Sequence, residues 1–333
     1  MKIIFFSSAF LVFLIVSIPA YSQLATLEQV NELKERSMLV QLAEIDEDIL
    51  SQLSKKAPGR IEEYKSAIAT YNENLKYAVE SFWPWQSEFK YVTQNEAKGI
   101  QKSKDKSYAI IYQKTIVSLN SPYYFELVWD EDLLEQGLIN YHYFQPGSQY
   151  ALQLSFIEDY GGKIIASAES NRILPTKTEM ASLIIKMAGF DNDVATGLSG
   201  LYEKNNKKSE YPVCQQLKEI TLIINSNDLS PELTITKIQE IYPYKFEVLN
   251  DNEIEKLFSS KSTGYIYIFG SPIYASGGTI NLYTFIDIGK SEKLSNCHID
   301  PIRNMNNYKL LSQGIIIDEK TLKEISLKIT GKE

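Results

Sequence analysis

Two stretches of this chain lie 157 residues apart and share one pattern. Residues 89–112 read FKYVTQNEAKGIQKSKDKSYAIIY, and residues 246–269 read FEVLNDNEIEKLFSSKSTGYIYIF. They align without a gap and are identical at Phe89/Phe246, Asn95/Asn252, Glu96/Glu253, Ser103/Ser260, Lys104/Lys261, Tyr108/Tyr265 and Ile111/Ile268. An internal repeat constrains a fold strongly, because both copies must build the same supersecondary unit. Other features recur in the same order. Trp83-Pro84-Trp85 answers Tyr242-Pro243-Tyr244, KERSMLV (34–40) answers KEITLII (218–224), and TKTEMASLIIK (176–186) answers DEKTLKEISLK (318–328). Carried into the next strand, the same offset pairs Asp130 with Asp287, at the ends of FELVWD and LYTFID. The offset falls from 184 at the first strand to 157 afterwards, so the second copy omits 27 residues.

Each copy reads as one series of elements. Residues 38–42 and 221–224 are short continuous apolar runs, as expected of strands buried on both faces. In the first copy a long helix follows over 58–82, with Ile61, Tyr64, Ile68, Tyr71, Leu75, Ala78 and Phe82 on one stripe. The matching helix of the second copy is shorter, about 231–241, with Ser230 or Asp228 as its cap. The aromatic-Pro-aromatic motifs mark an extended turn, since a residue before proline is pushed out of the helical region. Asn95-Glu96 and Asn252-Glu253 suit the starts of short helices. Strands follow over 108–117 and 123–129 in one copy and over 265–269 and 280–288 in the other. Further strands at 150–157 and 163–168 flank a Gly161-Gly162 turn, and a helix closes each copy. The expectation is an α/β chain of two similar mixed-sheet lobes, each a βαβαββ-type unit, related by internal duplication and preceded by a signal peptide.

The leader rests on residues 1–22. Lys2 precedes an apolar run from Ile3 to Ile18, Pro19 breaks it, and Ala20 and Ser22 stand where a signal peptidase requires small residues. The Ser-Gln junction resembles that of proteins exported by Gram-negative bacteria. The expected organisation is signal peptide 1–22, first repeat 23–190, linker 191–212 and second repeat 213–333. No later run reaches the ~18 apolar residues of a membrane span. With 42 acidic against 34 basic residues, the net charge of −8 argues against nucleic acid as the main partner, which demands concentrated Lys and Arg.

Motifs for chemistry are sparse. The chain has no GxGxxG, no GxxxxGK[ST], no GxSxG and no HExxH, and its two His residues, His142 and His298, cannot make a multi-His metal site. No cofactor or metal is expected. Cys214 and Cys297 are the only Cys residues, and in an exported chain they read first as a disulfide. Cys297-His298 beside Asp300 also holds the raw material of a Cys nucleophile. Asp130, Asp132 and Asp287 are candidates for a carboxylate pair or a Ca²⁺ site, against the simpler reading of turn-forming acids. Trp83, Trp85, Tyr242 and Tyr244 are the aromatics that could form a sugar-stacking platform. The general plan is similar to that of small α/β domains in periplasmic assembly proteins, such as the N-terminal domain of TolB-type proteins, which implies a binding or assembly role and carries no residue roles across. The leading expectation is an exported, non-catalytic binding or assembly module of the bacterial cell envelope, with an envelope protein or glycan as partner and a ligand cleft between the lobes. The alternatives are an envelope glycan or peptide hydrolase and a carbohydrate-binding module.

Overall fold

The computed structural model describes residues 25–117, 148–170, 175–191, 216–275, 278–294, 302–304 and 317–330. The expected signal peptide, most of the linker, Asp130, Asp132, Cys214, Cys297, both His residues and the strand at 123–129 lie outside the described residues.

In the first lobe α1 (Leu27–Glu35) leads into β1 (Ser37–Gln41), followed by α2 (Glu47–Lys56), α3 (Ile61–Phe82), β2 (Phe89–Val92), α4 (Gln94–Ser103), β3 (Tyr108–Val117), β4 (Ser148–Phe156), β5 (Ala166–Ser170) and α5 (Lys177–Ala188). The second lobe runs β6 (Thr221–Asn225), α6 (Ile235–Ile241), β7 (Phe246–Leu249), α7 (Asp251–Ser259), β8 (Tyr265–Ala275), β9 (Gly278–Asp287), β10 (Glu292–Lys293), β11 (Ile302–Asn304) and α8 (Glu319–Thr330). Sheet order is β2-β1-β3-β4-β5 in one and β7-β6-β8-β9-β10 in the other, with β11 also pairing along β9. In both sheets the first three strands are parallel and the later ones antiparallel. The chain is therefore an α/β protein of two similar lobes.

The likeness extends to register. Met38 pairs with Phe89 as Leu222 pairs with Phe246, and Ser37 pairs with Tyr108 as Thr221 pairs with Tyr265. These partners are the residues that the offsets of 184 and 157 equate. Asp130, the expected counterpart of Asp287, lies outside the described residues. Ala109 pairs with Phe156 where Ile266 pairs with Asp287, so β9 matches β4, and residues 118–147 have no counterpart in the short β8–β9 connection.

Local chemistry explains the helix starts. Thr93 and Asn250, at equivalent positions, each form a reciprocal capping box with the glutamate three residues on, Glu96 and Glu253. Thr176 caps α5, and Asp318 accepts from the Thr321 amide at the start of α8. Two boundaries differ from expectation. Helix α2 fills the acidic segment before Pro58 because Asp46 caps it through the amides of Asp48 and Ile49. Helix α6 begins at Ile235 with Thr234 as its cap, since residues 230–233 close a turn through Leu233 N to Ser230 O.

The cores show how the lobes meet. Helices α3 and α5 cover one face of the first sheet, against Met38, Val40, Ala109, Ile111 and Leu154, while α4 covers the other, against Leu39 and Ile110. Helices α6 and α8 cover Leu222, Ile224, Ile266, Ile268 and Phe285 on the second sheet. The remaining face of that sheet, with Ile223, Tyr267, Phe269 and Ile286, joins the core of the first lobe, where α5 packs against strands of both sheets. Ten of the twelve residues of α5 are buried. Each apolar side chain so buried contributes roughly 1.5–3 kcal/mol. The expected cleft between the lobes is thus filled by a shared helical layer. Polar ties reinforce it: Lys177 pairs with Glu255 at 2.8 Å, Tyr77 Oη meets Ser259 Oγ at 3.1 Å, and buried Lys186 reaches both Glu169 (2.7 Å) and Ser271 (3.1 Å).

Candidate functional site

In sheets of this order the chain leaves β1 in one direction and returns on its other side, and the crevice beyond the carboxyl ends of β1 and β3 is where α/β folds place ligands. In the first lobe Gln41 ends β1, and Tyr112 is the first residue of β3 beyond its pairing with β1. The exit from β1 is held firmly. Asn72 of α3 clamps Ala43 through its amide, accepting from the backbone N–H at 2.8 Å and donating to the carbonyl at 3.0 Å. At the start of α4, the Gln94 N–H donates to Glu44 Oε2 at 2.9 Å, an anion placed on a helix N-terminus. A 3₁₀ turn after β4 folds back over the site, fixed by Gln101 of α4, whose amide donates to the Tyr160 carbonyl at 2.9 Å.

Two tyrosines define the interior. The rings of Tyr112 and Tyr160 meet edge to face, 4.9 Å between centroids, and Tyr160 Oη donates to Gln41 Oε1 at 2.5 Å. Burial raises both phenols above their ordinary value. Ser155 and the Gly161 backbone partly offset this at Tyr112, and at Tyr160 the neighbouring Tyr112 adds to it. Lys114 is turned aside, donating to the Gly161 carbonyl at 3.3 Å. Directly across the sheet from Tyr112 stands Gln153 of β4, and across from that Ser167 of β5. Gln153 Oε1 and Ser167 Oγ are buried without a hydrogen-bond partner, while the Tyr112 phenol lies beside Ser155 and the Gly161 backbone. Most buried polar atoms are paired, so two side by side need a reason.

The second lobe closes the same place with its own residues. Asn225, the counterpart of Gln41, donates to Asp251 Oδ1 at 2.6 Å, and Asn227 donates to Asp251 Oδ2 at 3.0 Å. Tyr267 is fully buried, and burial together with Asp228, Glu179 and Asp251 raises its phenol well above the ordinary value. Phe269 occupies the place of Tyr112, and Ile286 that of Ser155. Among the described residues no group of three or more His, Cys, Asp or Glu is arranged to hold a metal ion.

The described candidates named from sequence, Trp83, Trp85, Tyr242, Tyr244 and Asp287, lie elsewhere. Trp83 and Tyr242 are buried, while Trp85 and Tyr244 are half-buried against the cores. Each pair packs edge to face, at 4.9 Å and 5.4 Å, so neither motif offers a flat sugar platform. Their polar atoms serve one structural end. Tyr242 Oη donates to the Leu217 carbonyl at 3.3 Å; Trp83 Nε1 donates to Gln86 Oε1, and Gln86 Nε2 donates to the Leu33 carbonyl at 2.9 Å. Leu33 and Leu217 are equivalent at the offset of 184. Asp287 is a turn acid that accepts from the Lys290 N–H at 3.1 Å. An open groove of about 440 Å³ lies between the starts of α6 and α8, where Glu319 is paired with Lys323 and Lys237.

Sequence reasoning missed Tyr112, Gln153 and Ser155, although Gln153 and Ser155 alternate with apolar residues in QYALQLSF. Among the described residues no helix is long and apolar enough to cross a membrane. Comparison with known protein families, with curated proteins and with solved structures finds no match.

Proposed function

We propose that this chain is an exported binding module of the bacterial cell envelope, built by duplication of one βαβαββ unit, in which the first copy keeps polar groups at the switch point of its sheet and the second has given its equivalent face to holding the lobes together. Identical strand order and equal register support the duplication. The observation that carries the binding role is the patch at the switch point of the first sheet, where neutral hydrogen-bonding groups converge and Gln153 Oε1 and Ser167 Oγ have no partner. Its two tyrosines are held protonated, which suits recognition better than proton transfer. Export rests on residues 1–22. Expressing the full precursor in a Gram-negative host, then fractionating the cells and weighing the product, tests it. A periplasmic species starting at Gln23 is expected, and an unprocessed cytoplasmic chain refutes export.

A carbohydrate-binding role is the second reading. Its support is the amide and hydroxyl groups of Gln153 and Ser167, since Tyr112 and Tyr160, like the aromatic-Pro-aromatic pairs, meet edge to face.

A further inference from the structure

The leader removed on export ends two residues short of Ala25, and the residue it uncovers has a chemistry of its own, an inference that rests on the export proposed above. Cleavage after Ser22 makes Gln23 the first residue of the mature chain. The fold limits where that cut can fall. Ala25 is buried in the core of the first lobe, together with Val30 and Leu33 of α1. Thr26 closes a reciprocal capping box, its Oγ accepting from the Gln29 N–H at 3.2 Å and its own N–H donating to Gln29 Oε1 at 2.9 Å. A cut after Ala25 would take away a buried residue, and one after Thr26 would also remove the cap of α1. A cut after Ser22 spares both.

A free α-amine on Gln23 is mostly a cation at neutral pH. It would stand only three residues ahead of the α1 cap, on the side of the helix dipole that disfavours positive charge. Glutamine at a chain terminus can remove that charge without a further reactant. The α-amino nitrogen attacks Cδ of its own side chain, the bond from Cδ to Nε2 breaks, and Nε2 leaves as ammonia with a proton from the attacking nitrogen. Nothing is oxidised or reduced. The product is a neutral five-membered lactam, lighter by one ammonia, about 17 Da.

We propose that Gln23 is a modification site, closed to pyroglutamate in the mature chain. The closed terminus offers no primary amine to an aminopeptidase, so the short lead into Ala25 and the cap of α1 is protected from trimming, where chain ends are otherwise the first sites of attack.

The test expresses the full precursor in a Gram-negative host, recovers the chain from the periplasm, holds it at neutral pH for several days and weighs its N-terminal tryptic peptide, residues 23–34. A peptide one ammonia lighter than QLATLEQVNELK, and unreactive to amine labelling, is expected. The variant Gln23→Ala keeps Ala20 and Ser22 at the junction. Its peptide should have full mass, label at its amine and lose N-terminal residues to an aminopeptidase at least about tenfold faster. A wild-type peptide of full mass with a labelled amine overturns the closure and leaves export standing. The same loss of ammonia in Gln23→Ala places the reaction at another residue, such as Asn31, and also overturns it. A chain that keeps residues 1–22, or that starts elsewhere, overturns the closure together with the processing on which it rests.

Discussion

Helices α5 and α8 occupy the same place in their lobes, start from equivalent caps and turn the same residues, Met180, Leu183 and Met187 or Leu322, Ile325 and Ile329, toward buried positions. Their other sides differ. Ala181 and Ile185 of α5 are buried, whereas Lys323 and Leu327 at the equivalent positions of α8 are exposed. One helix lies between two sheets and the other is the outer wall of the molecule. The comparison shows how one unit can serve as an interior or a terminal layer through side-chain choice alone, as in stacked-repeat proteins whose end units carry a polar outer surface.

Exchanging equivalents should break that distinction most severely. Ala181→Lys puts the residue of α8 into the shared core and is expected to cost more than about 4 kcal/mol, by stranding an ammonium among apolar side chains. Denaturant melts should show either no folded protein or separate transitions for the lobes, where the wild type shows one. A loss below about 1 kcal/mol would mean that the layer is not shared.

Next in size is the buried tie across that layer. Lys186→Met leaves Glu169 charged and unpaired, an expected loss of about 3–5 kcal/mol, and adding Glu169→Leu should recover much of it, because a buried ion pair is worth little against apolar replacements. A double variant no better than the single one would assign the loss to packing.

The anchoring of the aromatic turns offers a finer contrast. Gln86 donates to the carbonyls of Leu33 and Arg36 and accepts from Trp83, whereas Tyr242 makes one bond. Gln86→Leu should therefore cost about 2 kcal/mol and Tyr242→Phe about 1 kcal/mol by chemical denaturation. Equal losses would show that the relay and the direct bond are interchangeable.

The smallest effect separates the lobes by pH. Burial raises the Glu158 carboxyl, but the Arg36 guanidinium outweighs it and holds the group below its ordinary value. A depressed carboxylate stabilises the fold above its unfolded value, and that contribution is lost as pH falls through the folded one. Ile220 stands at the place of Arg36 in the second lobe. Stability should thus decline below about pH 4.5, and Arg36→Met should flatten that decline, measured as urea midpoints against pH.

Much of the architecture was legible because its signals are local. The starts of α4 and α7 followed from residues within one element, although their caps are Thr93 and Asn250, two residues before the expected Asn95 and Asn252. Helix α2 escaped because the sequence reading starts the helix after β1 only at residue 58, although Glu47 and Asp48 are acids at a helix start that complement its dipole. The aromatic motifs were placed correctly but given the wrong task, since burial of Trp83 depends on helices distant in sequence. Lone polar residues within a strand, such as Gln153 and Ser155, carry no sign of burial in the sequence, and only tertiary packing shows them enclosed. The two-sided burial of α5 did have a signal, because in MASLIIKMA only Ser182 and Lys186 interrupt an otherwise apolar run, a mark of an enclosed helix.

That enclosed helix also sets an order of events during synthesis. A chain emerging from its N-terminus presents α5 before any residue of the second sheet exists, so an apolar surface waits uncovered until about a hundred further residues have followed. The first lobe made alone, ending after α5, would carry the same uncovered surface permanently and collect in the insoluble fraction.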